Sequence, residues 1–375
     1  MSSAFHYQFL KEMVPVMVEL AQEQFEIMKK RGVTNILEDC QELIGQVVGR
    51  VFFGADFKDY RIEGKTVPHY LNEGAQAVFM ATRSVPSLVL GIKFINKGLI
   101  KEHREILKTN ADWIKFTDER INERREQIKK ELAENGEIRR KKYLIDFLIM
   151  NEIENSENSF TNREIADEFS TFYLAGMDTT AHLITMGTYY LQKYPDTLEK
   201  LRKEADLYLS NPSEITAETI AQMNYAHAVM NETLRLGTPG SRTMFRVAEI
   251  DHILGDLQIK KGTLVCTDSI SNNFSPDYHD DPFVFNPERF LDENSRTRRA
   301  IKKDGHVFFP FSSGPRNCVG QHLATIESKL ILGLLAKDFD WKLRDGYQLK
   351  IVMKFMHAPE EDLVYKLTPR KRNFK

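Results

Sequence analysis

The chain has 375 residues, 42% of them hydrophobic and 28% charged, a globular composition that excludes a disordered or fibrous chain. Lys and Arg total 52 against 54 Asp and Glu, a net charge of −2, so the basic footprint of a nucleic-acid binder is missing and no nucleic-acid partner is expected. The three cysteines, Cys40, Cys266 and Cys318, lie far apart without a CxxC pair. That spacing excludes a disulfide framework or a cysteine-rich zinc module and fits a reducing compartment. The start, Met1 to His6, lacks the zones of a signal peptide, and no segment reaches the apolar length of a spanning helix. The chain as written is therefore expected to be cytoplasmic.

No linker or repeat divides the sequence, and a single domain over 1–375 is expected. From Phe5 to about Lys200 helical periodicity dominates, and the run Asp118 to Arg125 reads as a solvated face. The stretch from Val78 to Ile100 is apolar but broken by turns, too short to span a bilayer, and equally suited to core packing or to lying at a membrane surface. A long helix is predicted from Asn162 to about Lys193: Thr161 and Glu164 form a capping box, Phe160 and Ile165 a hydrophobic staple, and Pro195 stands beyond the end. Its centre, Ala175-Gly176-Met177-Asp178-Thr179-Thr180, places a glycine and polar residues where helix propensity is lost. Two readings fit: a functional site, or threonines bonded back to carbonyls with Gly176 admitting a close helix crossing. After Gly237 short β-branched runs such as Gly262 to Thr267 alternate with loops, giving a mainly α chain with a small β-rich region.

The most specific stretch is Phe311-Ser312-Ser313-Gly314-Pro315-Arg316-Asn317-Cys318-Val319-Gly320, followed by a helix with apolar Leu323, Ile326, Leu330 and Leu334. Cys318 then sits at a helix N-terminus, where unpaired N–H groups and the dipole favour the thiolate, the metal-binding form. Gly314 and Gly320 let backbone approach a flat, bulky group, and Arg316 offers a fork of donors to a carboxylate. A zinc site on Cys318 and His322 is the metal alternative, without a third or fourth ligand nearby. Glu232 and Arg235 share one helix face, and Arg289 arrives from a later loop, which reads as a buried network pinning the Cys318 loop.

The run FSSGPRNCVG resembles, at every fixed position, the FxxGxRxCxG haem-ligand loop of the cytochrome P450 (haem-thiolate monooxygenase) family. Three further matches follow in the family's order. Ala175 to Thr180 resembles its central distal helix, Glu232-Thr233-Leu234-Arg235 its ExxR helix, and Phe285-Asn286-Pro287-Glu288-Arg289-Phe290 its PERF segment, while Arg50 to Phe57 resembles a weaker FG-x-DF stretch. The resemblance implies a cytochrome P450-like fold that lacks the family's N-terminal portion, with a membrane anchor at the endoplasmic reticulum if such a portion exists. It implies haem b with Cys318 as iron ligand, and Phe311, Gly314, Arg316, Gly320, Ala175 and Gly176 around the cofactor. Arg246 is a second propionate partner, with Arg242 as its rival. Asp178 and Thr179 become the acid–alcohol pair delivering protons to bound dioxygen, the acid relaying them from solvent. Glu232, Arg235 and Arg289 become the structural triad. Phe172, Ala175, Gly176 and the loop Thr238 to Ser241 are expected to touch a small lipophilic substrate. No flavin or nicotinamide fingerprint is visible, so electrons are expected from NAD(P)H through a separate flavoprotein reductase or ferredoxin. The alternatives are a non-catalytic truncated haem-binding remnant, or a haem-thiolate isomerase or peroxygenase.

Overall fold

The computed structural model describes residues 7–135, 143–154, 160–240 and 245–371. Its first half is helical: α1 (Tyr7–Arg31), α2 (Ile36–Phe53), α3 (Val67–Arg83), α4 (Val85–Leu90), α5 (Lys101–Asn135), α6 (Leu144–Glu154) and α7 (Asn162–Lys193), with the short strands β1 (Val33–Asn35), β2 (Arg61–Ile62) and β3 (Lys65–Thr66) between them. There follow α8 (Pro195–Tyr208), α9 (Ala217–Gln222) and α10 (Asn224–Gly237). A β-rich region then holds β4 (Arg246–Val247), β5 (His252–Leu254), β6 (Leu257–Ile259) and β7 (Leu264–Val265), and the chain continues through α11 (Ile270–Asn273) and α12 (Arg296–Lys303). It closes with α13 (Gln321–Asp338), β8 (Phe339–Leu343), β9 (Ile351–Met353), β10 (His357–Pro359) and β11 (Val364–Pro369). This is the mainly α fold with a small β region that the sequence predicts.

α7 has the predicted bounds because both ends are chemically marked. Glu164 N–H donates to Thr161 Oγ1 at 3.2 Å, Thr161 N–H donates to Glu164 Oε2 at 2.8 Å, and Pro195 opens the next helix. The core runs from Leu10 of α1 to Leu367 of β11 as one apolar cluster, with α7 at its centre. Where α2 and α5 meet α7, an aromatic knot forms: Phe53 stacks on Phe169 with ring centroids 3.9 Å apart, and Phe57 lies 5.9 Å from Tyr173. Each such fully buried ring is worth roughly 1.5–3 kcal/mol in area alone. The run Asp118 to Arg125 is less solvated than its charges imply. Ile121 is buried, Arg120 lies over the Tyr60 ring at 4.3 Å, and Arg124 grips the buried Asp146 through Nε at 2.7 Å.

The sheet order is β1-β11-β8, all antiparallel, with Thr34 opposite Tyr365 and Leu367 opposite Trp341. Along β8, Phe339, Trp341 and Leu343 point inward while Asp340 and Lys342 point out, the period of two expected for a half-buried strand. Trp341 Nε1 donates to Thr188 O of α7 at 3.0 Å, tying sheet to helix. The predicted run Gly262 to Thr267 is strand only over β7, which pairs with β4. Arg242 and Ser241 lie outside the described residues, so the rivalry between Arg242 and Arg246 has no structural reading. The stretch from Val78 to Ile100 forms the end of α3, α4 and a 3-10 turn; Val85, Leu88 and Val89 are 72–74% exposed, while Ser87 and Ile95 are buried anchors. No helix among the described residues is long and apolar enough to cross a membrane.

Candidate haem-thiolate site

The Cys318 loop is built by a 3-10 turn over Gly314–Arg316, after which Cys318 N–H donates to Phe311 O at 2.8 Å and α13 begins at Gln321. Gly314 has φ +78°, and a Cβ there would meet nothing within 4 Å. At Gly320 a Cβ would meet only Cys318 Sγ, at 3.8 Å. Cys318 is a free, exposed thiol. Its position three residues before α13 aims the Gly320 and Gln321 N–H groups at the sulfur, as the dipole argument requires, yet the thiol sits above its ordinary pKa. Surrounding protein desolvates the sulfur and outweighs the two N–H groups that pull the pKa down. The expected thiolate is therefore not made by the helix end alone; coordination to a cation would complete the deprotonation. Arg316 is exposed and makes no hydrogen bond within the described residues, so its guanidinium is uncommitted. Arg246, on the exposed strand β4, reaches the Phe245 carbonyl at 3.3 Å, its one side-chain hydrogen bond among the described residues.

Phe308 and Phe311 of this loop pack on Leu183 of α7 and on Met230 and Leu234 of α10. Leu183 lies one turn beyond Thr179, so the loop and the centre of α7 meet on a shared apolar patch. Thr179 is half-buried beside the exposed Ala175, and its hydroxyl donates to Ala175 O at 2.7 Å, leaving the oxygen lone pairs as the group it presents outward. Gly176 faces α2, where an added Cβ would lie 3.2 Å from Val48 Cγ2. Both features of the packing reading are therefore present: a threonine bonded back to a carbonyl and a close helix crossing.

Asp178 departs from its expected place. It is fully buried, not open to solvent: Gln41 of α2 donates to Oδ1 at 2.8 Å, His182 Nδ1 stands 3.2 Å from the same oxygen, and Oδ2 has no hydrogen-bond partner among the described residues. Helix geometry explains it, because residue 178 points about 100° away from residue 179. A direct relay from solvent through this carboxylate is not what the packing provides.

Glu232 is 0% exposed. Arg235 Nε and Nη2 bind its two oxygens at 2.8 Å each, Arg289 Nε adds a bond at 3.0 Å, and Asn286 N–H donates at 2.8 Å. The remaining guanidinium donors hold carbonyls of Asn273, Pro282 and Val284 from Arg235, and of Asp280 and Val284 from Arg289. These carbonyls belong to the 273–284 segment and not to the Cys318 loop. The network reaches that loop indirectly, through the Phe290 ring 4.9 Å from Phe308 and through Asn272 donating to His306 O at 3.2 Å.

Sequence reasoning missed the two side chains that hold Asp178. Gln41 gave no signal, being 137 residues from Asp178. His182 was legible as an i+4 neighbour of Asp178. Among the described residues no cluster of three or more His, Cys, Asp or Glu side chains offers a conventional metal cage. A cleft of about 1030 Å³ between α1 and α2, lined in part by Glu23, Arg31, Gln41 and His69, contains none of the predicted site residues. What fits a haem is the loop itself: an exposed free thiol, glycines leaving open space on its surface, and an uncommitted guanidinium two residues away.

That donor set defines a haem-thiolate class of site. The family described as Cytochrome P450 matches residues 1–366, and the chain belongs to it. It is similar to cytochrome P450 3A31 of Mesocricetus auratus, 34% identical over 236 residues, covering 61% of this chain and 46% of the relative. It is similar also to two Homo sapiens proteins. Cytochrome P450 3A7 is 32% identical over 61% of this chain and 46% of its own length, and cytochrome P450 4Z1 is 33% identical over 65% of this chain and 46% of its own length. The chain thus spans about half the length of the relatives it matches.

Proposed function

We propose that the chain is the haem-thiolate domain, over 1–375, of a monooxygenase that oxidises a small lipophilic substrate, with Cys318 as the axial ligand. The observation that carries this reading is the exposed, unpaired Cys318 thiol in a glycine- and arginine-bearing loop packed against the centre of α7. Bound there, haem would supply dioxygen activation, with the thiolate pushing electron density toward O–O cleavage. The chain's own residues do the rest. Arg316, and secondarily Arg246, neutralise propionates, and Phe311 closes the apolar side of the loop. Exposed Ala175 allows a flat group to lie along α7, while Gly176, which faces α2, sets the helix crossing behind it. Thr179, its proton spent on Ala175 O, accepts a hydrogen bond from a water and fixes where a proton is delivered. Asp178, held by Gln41 and His182, packs behind that turn.

Phe172 and the loop Thr238–Gly240 are the substrate contacts in this reading. Electrons come from NAD(P)H through a separate flavoprotein reductase or ferredoxin, and the exposed apolar residues of α4 lie against a lipid surface. The test is the spectrum of the ferrous carbon monoxide adduct. Cys318→Ala should lose the strongly red-shifted thiolate band while Cys40→Ala and Cys266→Ala keep it. Persistence of the band without Cys318 overturns the ligand assignment. A parent chain that takes up haem but turns over nothing with a reductase would be the non-catalytic remnant.

A further inference from the structure

One turn beyond Asp178, α7 carries His182, and both side chains lie inside the protein, at 0% and 4% exposure. His182 Nδ1 stands 2.7 Å from Asp178 O and 3.2 Å from Asp178 Oδ1. A peptide carbonyl only accepts, so Nδ1 carries a proton, and a second ring proton has Nε2 as its place. On the opposite side Asn72 Nδ2 of α3 donates to Gln41 Oε1 at 3.3 Å, and Gln41 Nε2 donates to Asp178 Oδ1 at 2.8 Å. With its oxygen taken by Asn72, Gln41 presents N–H to the acid.

Oδ1 therefore faces two donors. A neutral acid would carry its proton on Oδ2, which has no hydrogen-bond partner among the described residues, and the O–H would be stranded in the core. A carboxylate uses both donors it is offered, but at this depth it needs a positive charge beside it. His182 is the one ionisable partner of Asp178 among the described residues. Charged groups of the elements packed on α7 are engaged elsewhere. On α2, Asp39 is held by Arg31 and Thr34, and Glu42 by Thr66 and Gln46. Glu73 of α3 pairs with Lys65, and Asp112 of α5 accepts from Tyr70. Arg202 of α8 holds Ala336 O, and Glu232 of α10 is bound by Arg235. On α13, Lys329 and Lys337 donate to Ala221 O and Leu209 O, and the buried Glu327 is an acid that brings no positive charge.

We propose that Asp178 and His182 form a buried carboxylate–imidazolium pair at neutral pH, and that His182 is a positioning residue for Asp178. Its Nδ1–H and the Gln41 amide hold Oδ1 from two sides and leave Oδ2 as the oxygen free to accept. The ion pair belongs to this chain with or without haem; its effect on turnover rests on the haem-thiolate reading.

Nuclear magnetic resonance on the full chain without haem, isotopically labelled at the histidine ring nitrogens and the aspartate carboxyl carbons, tests the charges at neutral pH. In the parent both His182 ring nitrogens should read as protonated and the Asp178 carboxyl as ionised. The signals are assigned by their loss in Asp178→Asn and in His182→Asn, with His182→Gln in its place if the latter does not fold. Asp178→Asn keeps the carbonyl that Nδ1 faces but removes the negative charge, so His182 should become neutral with its proton on Nδ1. A mere packing contact would leave the charge on the ring unaltered. His182→Asn keeps an N–H donor without a charge, and there Asp178 should appear as the protonated acid. In the haem-loaded chain Asp178→Asn and His182→Asn should each slow turnover, and the double variant should be no slower than Asp178→Asn alone, because the histidine acts through the acid. A neutral His182 in the parent, a proton on Nε2 alone, an unchanged ring in Asp178→Asn, an Asp178 still ionised in His182→Asn, or additive slowing in the double variant would each overturn the proposal. The spectra are read without haem, so failure to take up haem would overturn the haem-thiolate reading alone.

Discussion

Arg235→Ala removes five hydrogen bonds, three of them fully buried. Two run to Glu232 at 2.8 Å, two to Asn273 O and Pro282 O at 2.6 Å, and one to Val284 O at 3.3 Å. Breaking a buried ion pair from one side costs roughly 3–5 kcal/mol, because the remaining charge stays desolvated. Here Arg289 and the Asn286 N–H still hold Glu232, which puts that part near its lower end. Val284 O keeps Arg289 as a donor, and Pro282 is only half-buried and can take water, but Asn273 is 4% exposed and its carbonyl is orphaned. Such an orphan adds roughly 1–3 kcal/mol. The total, about 4–6 kcal/mol, is a large share of the roughly 5–15 kcal/mol that holds a domain folded. Denaturant unfolding followed by helical circular dichroism should show a large drop in the midpoint. Arg289→Ala should cost less, since Arg289 gives Glu232 one bond and not two. Adding Glu232→Gln to Arg235→Ala should restore part of the loss by discharging the stranded carboxylate. An Arg235→Ala midpoint equal to the parent's, or a larger loss in Arg289→Ala, would refute this arithmetic.

Thr179→Ala should still bind substrate but divert electrons to hydrogen peroxide, while Thr179→Ser, which keeps a hydroxyl able to reach Ala175 O, should stay coupled; peroxide and product measured against donor consumed decide it. His279 is fully buried against Thr297 Oγ1 at 2.9 Å, and burial first, then the Arg235 and Arg289 charges, hold its pKa down to about 3. The folded chain therefore refuses a proton that the unfolded chain accepts below about 6.5, so stability should fall as pH drops from there toward about 3. His279→Gln should flatten that limb of the pH–stability curve, and an unaltered slope would place the acid sensitivity elsewhere.

Much of the fold was legible because its signals are local. The capping box at Thr161 and Glu164 marks α7 to the residue, and the apolar period Leu323, Ile326, Leu330 and Leu334 marks the buried face of α13. Within the β-rich region, the β-branched residues of Gly262 to Thr267 form a strand only where β4 supplies a partner, and partners are not a local property. The charged run at Asp118 to Arg125 misled for the same reason. Arg124 is inward-turned because Asp146, 22 residues on, waits for it.

Site residues divide along the same line, and the middle of α7 shows why. A motif places Asp178, Thr179 and Thr180 side by side, but successive residues of a helix point about 100° apart. Asp178 turns to α2, where Gln41 and His182 hold it, and Thr179 turns to the side shared with Ala175. The acid and the alcohol of the run thus have different surroundings. A change at Gln41 acts on the carboxylate, while Thr179 itself, among the described residues, has its own helix carbonyl as its hydrogen-bond partner. Its orientation depends on the rotation of α7 as a whole. The crossing at Gly176, where an added Cβ would lie 3.2 Å from Val48 Cγ2, fixes one side of that rotation. Peroxide release should consequently respond to substitutions at Val48 that never touch Thr179, and should respond to them without loss of the Cys318 spectral band.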